Sequence, residues 1–343
     1  MSEAREYTTE LCGTRLRVRE TGSGPPLLLI NGIGAHMAMW STLERHLRGF
    51  RLIQFDAPGS GRSPVPRRPI SVSGLARLAI AVLDEFGIAR ADVLGYSMGG
   101  IVTQQLAYDA PERVRRIVLV ATSPGIGGSL GDARAMLNIV TPARYLSAQI
   151  YERTIGSMAG GRARYDRAWV SEQGALRLRH APPLVGYFWQ LAGLTGWSGL
   201  PLLGDIEQPV LVVCGDDDPL TPVANGMLIA HMVQRGRLMV LPDEGHLLLM
   251  DPHSGALPPI RAFLAAPDHS RSEVWRSALA VQAWHLRLGL AATGWQLQPF
   301  GLLSAWKRRR WLGPIRPVPR AHGAADEDDR RDGEDGATLR VVP

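Results

Sequence analysis

Lysine is almost missing from this sequence. Of 38 Lys and Arg residues in a chain of 343, one is a lysine, Lys307. The basic charge is arginine throughout, which reads as the codon usage of a GC-rich genome rather than as recognition chemistry. Cysteine is scarce as well. Cys12 and Cys214 lie far apart with no metal-type spacing, which excludes a disulfide framework and a zinc site built of cysteines. Long apolar runs are missing too. The uncharged stretch 288–306 is interrupted by Thr293, Gln296, Gln298, Pro299 and Ser304, which argues against a membrane-spanning helix. The first ten residues are charged and carry no apolar h-region, so no secretory signal is read. The expectation is a cytoplasmic protein with reduced cysteines.

What is present is ordinary for a globular chain. Hydrophobic residues make up 45% and charged residues 20%, enough apolar material for a sizeable core, which excludes a wholly disordered chain. Gly 38 and Pro 25 occur without a G-X-Y period, so collagen is excluded. The net charge of +6 raises nucleic acid as a partner, but the charges must first be located.

Short, continuously apolar runs alternate with helical spacing. Residues 1–20 suit an edge hairpin. Strands are expected at 26–30, 50–55, 92–94, 116–120, 209–214 and 237–241, and helices near 39–47, 75–86, 98–107 and 224–233, with a last one to about 265. This rhythm predicts an α/β fold, a mostly parallel sheet with helices on both faces. It breaks between 124 and 205, where only helix-like pieces and an aromatic cluster occur. We therefore expect a core over 1–123 and 206–266, an inserted helical cap over 124–205, and a C-terminal extension over 267–343. That extension is rich in Trp and Arg, then acidic over 324–336, a composition expected to be disordered.

Two stretches match G-x-S-x-G, centred on Ser97 and Ser129. Context separates them. Ser97 follows an apolar strand directly and precedes a helix, the strand–turn–helix setting of a nucleophile elbow. Ser129 sits in a glycine-rich loop, where the glycines need supply only flexibility. A serine hydroxyl needs a base, and the base an orienting acid, in the chain order Ser, acid, His. Of nine histidines, His246 follows the last strand, where a base would reach Ser97; His36, His180 and His253 lie elsewhere. The run Asp216-Asp-Asp offers three carboxylates. The pattern G-x-x-D-x-x-x-P, with Pro219 and Pro222 stiffening the loop, selects Asp218. An oxyanion hole needs two backbone N–H groups. Met98, at the helix start, and Ile33, in the turn after the first core strand, are the candidates.

With these residues in place, positions 10–266 resemble an α/β-hydrolase. Within that superfamily they resemble the intracellular medium-chain-length poly(3-hydroxyalkanoate) depolymerases. The resemblance is carried by Ile30-Asn-Gly-Ile-Gly-Ala, by Tyr187-Phe-Trp-Gln-Leu-Ala-Gly-Leu-Thr-Gly-Trp and by Gly215-Asp-Asp-Asp-Pro-Leu-Thr-Pro. It departs at Met98, where the family often has Trp, and in the length of the tail. The resemblance implies a triad of Ser97, Asp218 and His246 cleaving esters of 3-hydroxy acids through an acyl-enzyme, with no metal or organic cofactor. Trp189 and Trp197 of the cap would bind aliphatic side chains. The near alternative is an esterase or lactonase acting on small acyl substrates. A polyester synthase would carry cysteine in the elbow, and a non-catalytic binder would have a broken triad. The basic knot 307–310 beside tryptophans, followed by an acidic run, suits a granule or anionic membrane surface better than a nucleic-acid groove.

Overall fold

The computed structural model of the chain describes residues 4–285. The expected basic knot, the acidic run, and Trp295, Trp306 and Trp311 lie outside the described residues. The chain opens with a hairpin of β1 (Arg5–Leu11) and β2 (Thr14–Thr21), then β3 (Pro26–Ile30), α1 (Ser41–His46), β4 (Arg51–Phe55), α2 (Val72–Glu85), β5 (Ala91–Tyr96), α3 (Met98–Asp109) and β6 (Val114–Val120). Five helices follow before the next strand: α4 (Ala133–Val140), α5 (Ala148–Ala159), α6 (Arg167–Leu178), α7 (Leu184–Leu194) and α8 (Leu200–Leu203). The alternation then resumes with β7 (Pro209–Gly215), α9 (Val223–Met232), β8 (Arg235–Leu241), α10 (Leu257–Ala265) and α11 (Glu273–Ser277).

The eight strands form one sheet in the order β1-β2-β4-β3-β5-β6-β7-β8. Only β1–β2 and β2–β4 pair antiparallel; β3 to β8 run parallel. The strands expected at 116–120 and 237–241 each begin two residues earlier, at Val114 and Arg235, because pairing with Ala91 and Pro209 extends the ladders.

The continuously apolar strands sort their side chains by the two-residue period of a pleated strand. Leu27, Leu29, Val118, Val120, Leu211 and Val213 belong to one buried cluster, with Leu43 of α1 and Ile260 and Phe263 of α10. Leu28, Ile30, Ile117, Leu119, Val210 and Val212 belong to the other, with α2, α3 and α9. Both faces of the sheet are thus covered by helices, as a parallel sheet requires. Packing on the core continues past 266. Trp275 is buried and stacks on Phe263 at 5.5 Å, and the Leu279 N–H donates to Leu238 O at 2.8 Å on the open edge of β8.

The strand order reverses at β3, which has β4 on one side and β5 on the other. Ligand sites of open α/β sheets form at such switch points, beyond the carboxyl ends of the strands. The turns after β3 and β5 meet here, and the segment between β6 and β7 lies over them. Among the described residues that segment carries a single isolated bridge, Gly125 with Ser198, and no strand.

Candidate active site

The turn from β5 into α3 is tight enough to force its residues. Ser97 has φ 53 and ψ −119, a conformation rare for a side-chain-bearing residue and expensive to hold. Glycine is required beside it. A Cβ at Gly99 would lie 1.9 Å from the Ile30 carbonyl oxygen, and one at Gly95 would lie 2.3 Å from Thr103 Oγ1. The strained turn thrusts the Ser97 hydroxyl out at the carboxyl end of β5, while the buried helix behind it keeps the turn from relaxing.

Three loops then converge. His246 Nε2 is 3.0 Å from Ser97 Oγ, and His246 Nδ1 is 2.7 Å from Asp218 Oδ2. Asp218 and His246 are both buried. The Asp218 carboxylate also accepts from the N–H groups of Leu220 and Thr221, at 2.8 and 3.0 Å, and from the Thr221 hydroxyl. These donors compensate a charge that would otherwise be costly to bury. The imidazole is fixed from behind as well: the Tyr96 hydroxyl donates to the His246 carbonyl at 3.0 Å, and the His246 N–H donates to Ala159 O at 2.6 Å.

The other two aspartates of the run are used differently. Asp216 accepts from the Asp243 N–H at 2.6 Å and holds the turn before His246. Asp217 accepts from the Arg164 guanidinium at 2.7 and 3.0 Å and from the Gly161 N–H at 2.7 Å, tying the helical segment to the core. Ser129 is pinned through its backbone to the Asn225 amide at 2.7 and 2.9 Å. Among the described residues no imidazole hydrogen-bonds its hydroxyl. His36 and His180 stand edge to face at 5.4 Å, away from Ser97. Burial, reinforced by the Arg177 charge, lowers His36 from 6.5 to about 4, so that imidazole is neutral. Cys214 is pushed up to about 12 by burial, which makes it an inert core thiol.

The turn after β3 presses against Ser97: a Cβ on Gly32 would be 3.2 Å from Ser97 Cβ. Its amides are largely engaged. Gly32 N–H donates to Asn31 Oδ1, Gly34 N–H to Gln190 Oε1 and Ala35 N–H to Gly32 O. Among the described residues the Ile33 N–H has no such partner. Met98 opens α3, where N–H groups have no intrahelical acceptor and the helix dipole is positive. Ile33 and Met98 pack in one apolar cluster with Tyr145 and Tyr187, and Leu194 packs against it.

An open, largely apolar pocket of about 260 Å³ meets this cluster at Leu194 and is lined by Ile101, Ser129, Met136, Trp197 and Leu220 among others. Trp197 presents its ring there and donates its indole N–H to Gln105 at 2.7 Å. Trp189 is not among the lining residues. Its indole N–H donates to the Pro66 carbonyl at 3.1 Å, anchoring α7 to the loop after β4.

A family model described as alpha/beta hydrolase fold matches residues 25–252. The chain belongs to the α/β-hydrolase fold family. It is 35% identical over 261 residues to a poly(3-hydroxyalkanoate) depolymerase of Ectopseudomonas oleovorans, covering 75% of this chain and 91% of that relative. It is 30% identical over 241 residues to a pimeloyl-[acyl-carrier protein] methyl ester esterase of Nitrosomonas europaea, covering 67% of this chain and 92% of that one. The crystal structure of a hydrolase from Pseudomonas aeruginosa aligns with a TM-score of 0.65 at 30% identity, over 76% of this chain and 99% of that structure. This α/β-hydrolase has no helix among its described residues long and apolar enough to cross a membrane.

Sequence reasoning missed Tyr96, Thr221 and Gln190. All three sit inside quoted motifs, Tyr96 and Thr221 at variable positions. Gln190 touches the turn after β3 from more than 150 residues away, a contact no local pattern announces.

Proposed function

We propose that this α/β-hydrolase cleaves ester bonds of poly(3-hydroxyalkanoate) through an acyl-enzyme. The observation that carries the reading is the hydrogen-bonded chain Ser97–His246–Asp218 at a strained elbow. Ser97 Oγ attacks the ester carbonyl as His246 Nε2 takes its proton. The carbonyl oxygen becomes an oxyanion facing the N–H groups of Ile33 and Met98, and those two donors lower the barrier by matching charge that exists only in the transition state. The protonated His246 gives its proton to the leaving alkoxide. A water, deprotonated by the same nitrogen, then releases the acid and restores Ser97. Asp218 holds the Nδ1–H tautomer and stabilises the imidazolium.

Substrate is the finer part of the proposal. An engineered apolar cavity of about 150 Å³ binds benzene, so the larger space beside Trp197 takes an aliphatic side chain longer than a methyl group. The 35% identity to a depolymerase supports a polyester of 3-hydroxy acids. Release of 3-hydroxy acids from medium-chain polymer, compared with short-chain polymer, tests it. Preference for the short-chain polymer contradicts the assignment of the cavity. The second reading, an esterase on small acyl substrates, is favoured by the similarity to the methyl ester esterase. Turnover of small esters with no acid released from polymer would select it. The extension as an anchor on granules or anionic membranes stays a proposal; co-sedimentation of the chain cut after residue 285 with granules, as well as the full chain, would refute it.

A further inference from the structure

Two guanidiniums lie buried under the helical segment, beside the candidate oxyanion hole. Arg144 and Arg177 are 2% and 6% exposed, and among the described residues neither is paired with a carboxylate. Arg144 donates to the carbonyls of Asn138 and Thr141 and, at 2.6 Å, to the Tyr187 hydroxyl, with its guanidinium over the rings of Tyr145 and Tyr187 at 4.7 and 4.9 Å. Arg177 reaches the Tyr145 hydroxyl at 3.4 Å. Burying a cation without a counter-ion is a poor way to stabilise a fold. What these two supply is direction. Each points a tyrosine hydroxyl by occupying its lone pair, so the hydroxyl proton must go elsewhere.

For Tyr145 that proton goes to the Gly34 carbonyl, at 3.1 Å. The Gly34 N–H is held from the other side by Gln190 Oε1 at 2.8 Å. Gln190 cannot flip, because its amide nitrogen donates to Pro58 O at 3.1 Å and to Ser60 Oγ at 2.7 Å. Gly34 is at φ +64, and a Cβ there would meet the Tyr145 hydroxyl at 2.5 Å. Both polar groups of the residue following Ile33 are therefore clamped by the helical segment, and the clamp closes only on glycine.

We infer that Tyr145, aimed by Arg177, and Gln190 are positioning residues that orient the Ile33 N–H toward the developing oxyanion, so that the helical segment completes the oxyanion hole of the core. This rests on the ester-hydrolase reading above. Neither side chain touches the reacting atoms. Their effect should appear in the transition state and not in ground-state binding. Loss of a whole oxyanion donor costs roughly 10²–10³ in kcat, so misdirecting one by removing its support should cost about 10-fold or more.

The experiment uses the full chain, a soluble hexanoate ester and an alkyl trifluoromethyl ketone, which adds Ser97 Oγ to give a tetrahedral oxyanion. Active sites are titrated with a serine-directed phosphonate, so that kcat is counted per competent site. Tyr145→Phe and Gln190→Met should each lower kcat about 10-fold with KM within about 2-fold, and weaken the ketone by the same factor. Arg177→Lys, which keeps the charge and a donor, should restore most of the kcat lost in Arg177→Met. A merely structural role changes the titrated fraction and the melting temperature but leaves kcat per site and ketone affinity unmoved. That result in both Tyr145→Phe and Gln190→Met overturns the inference. Ser97→Ala is the reference for the underlying reading. If it retains turnover, the assignment of Ser97 as the nucleophile has failed; if it is inactive while both clamp variants keep full kcat, only the clamp has.

Discussion

The sheet core and the helical segment 124–205 are built on different physical terms. In the core, ladder hydrogen bonds satisfy the backbone, and side chains need only be apolar and of the right volume. The segment has no ladder to lean on. It leaves Leu130, Leu137 and Leu146 more than half exposed at 76%, 62% and 65%, yet buries Arg144 and Arg177. It shares one buried apolar cluster with the sheet through Tyr151, Ile155, Met158 and Trp169, and adds directed polar contacts: Arg164 to Asp217, Trp189 to Pro66, Trp197 to Gln105 and Gln190 to Gly34. A core of this kind fixes the reacting groups rigidly.

The sharpest way to break this division of labour is at the two G-x-S-x-G serines, one in each region. Ser97→Ala should lower ester turnover by roughly 10⁴–10⁶, with the fold unchanged, whereas Ser129→Ala should stay within a few-fold of the parent. Comparable losses at both would end the assignment of all chemistry to the core. Next come the adjacent carboxylates. Asp218→Asn should lose about 10⁴ in rate by leaving His246 in the wrong tautomer. Asp217→Asn, which cuts the tie to Arg164, should lower the melting temperature while rate per active site changes little. Equal rate losses at the two positions would refute the choice of Asp218.

Packing gives a smaller contrast. Leu119→Ala, at a fully enclosed core site, should cost about 2–5 kcal/mol in denaturant melts. Leu137→Ala, on the open face of α4, should stay within about 0.5 kcal/mol. Similar values would mean that the segment's outer face is covered in solution. A pH-dependent effect lies at the junction, where His36 Nε2 meets the Leu176 carbonyl at 3.1 Å. With its value lowered to about 4 by burial and then by Arg177, His36 takes up a proton less readily folded than unfolded. Its contribution is complete above pH 6.5 and drains away as pH falls toward 4, by about 3 kcal/mol in all. Stability measured from pH 7 to 4.5 should fall less steeply in His36→Gln; parallel curves would show that the histidine is not buried neutral.

The core was legible because its physics is local. A run such as Arg116–Val120 can only be a strand covered on both faces, and the glycines around Ser97 are demanded by a turn that the flanking strand and helix already imply. Choosing among three aspartates needed only the spacing to the prolines. The segment resisted the same reading. Its helices have mixed faces, and its partners are carbonyls and amides supplied by distant turns. Trp189 shows the difficulty: its indole N–H needs an acceptor and finds it at the Pro66 carbonyl, far away in the sequence. Gln190 lies inside a quoted signature, but its contact, like those of the two buried arginines, is not readable until the turn after β3 is folded against it.

The central claim is that one serine, at the strained elbow, performs the chemistry. Labelling the full chain with a serine-directed phosphonate and mapping the modified peptide by mass spectrometry tests it most directly. The adduct should sit on Ser97 alone, at one per chain, and vanish when His246 is replaced by alanine. An adduct on Ser129, or labelling that survives the loss of His246, would contradict it.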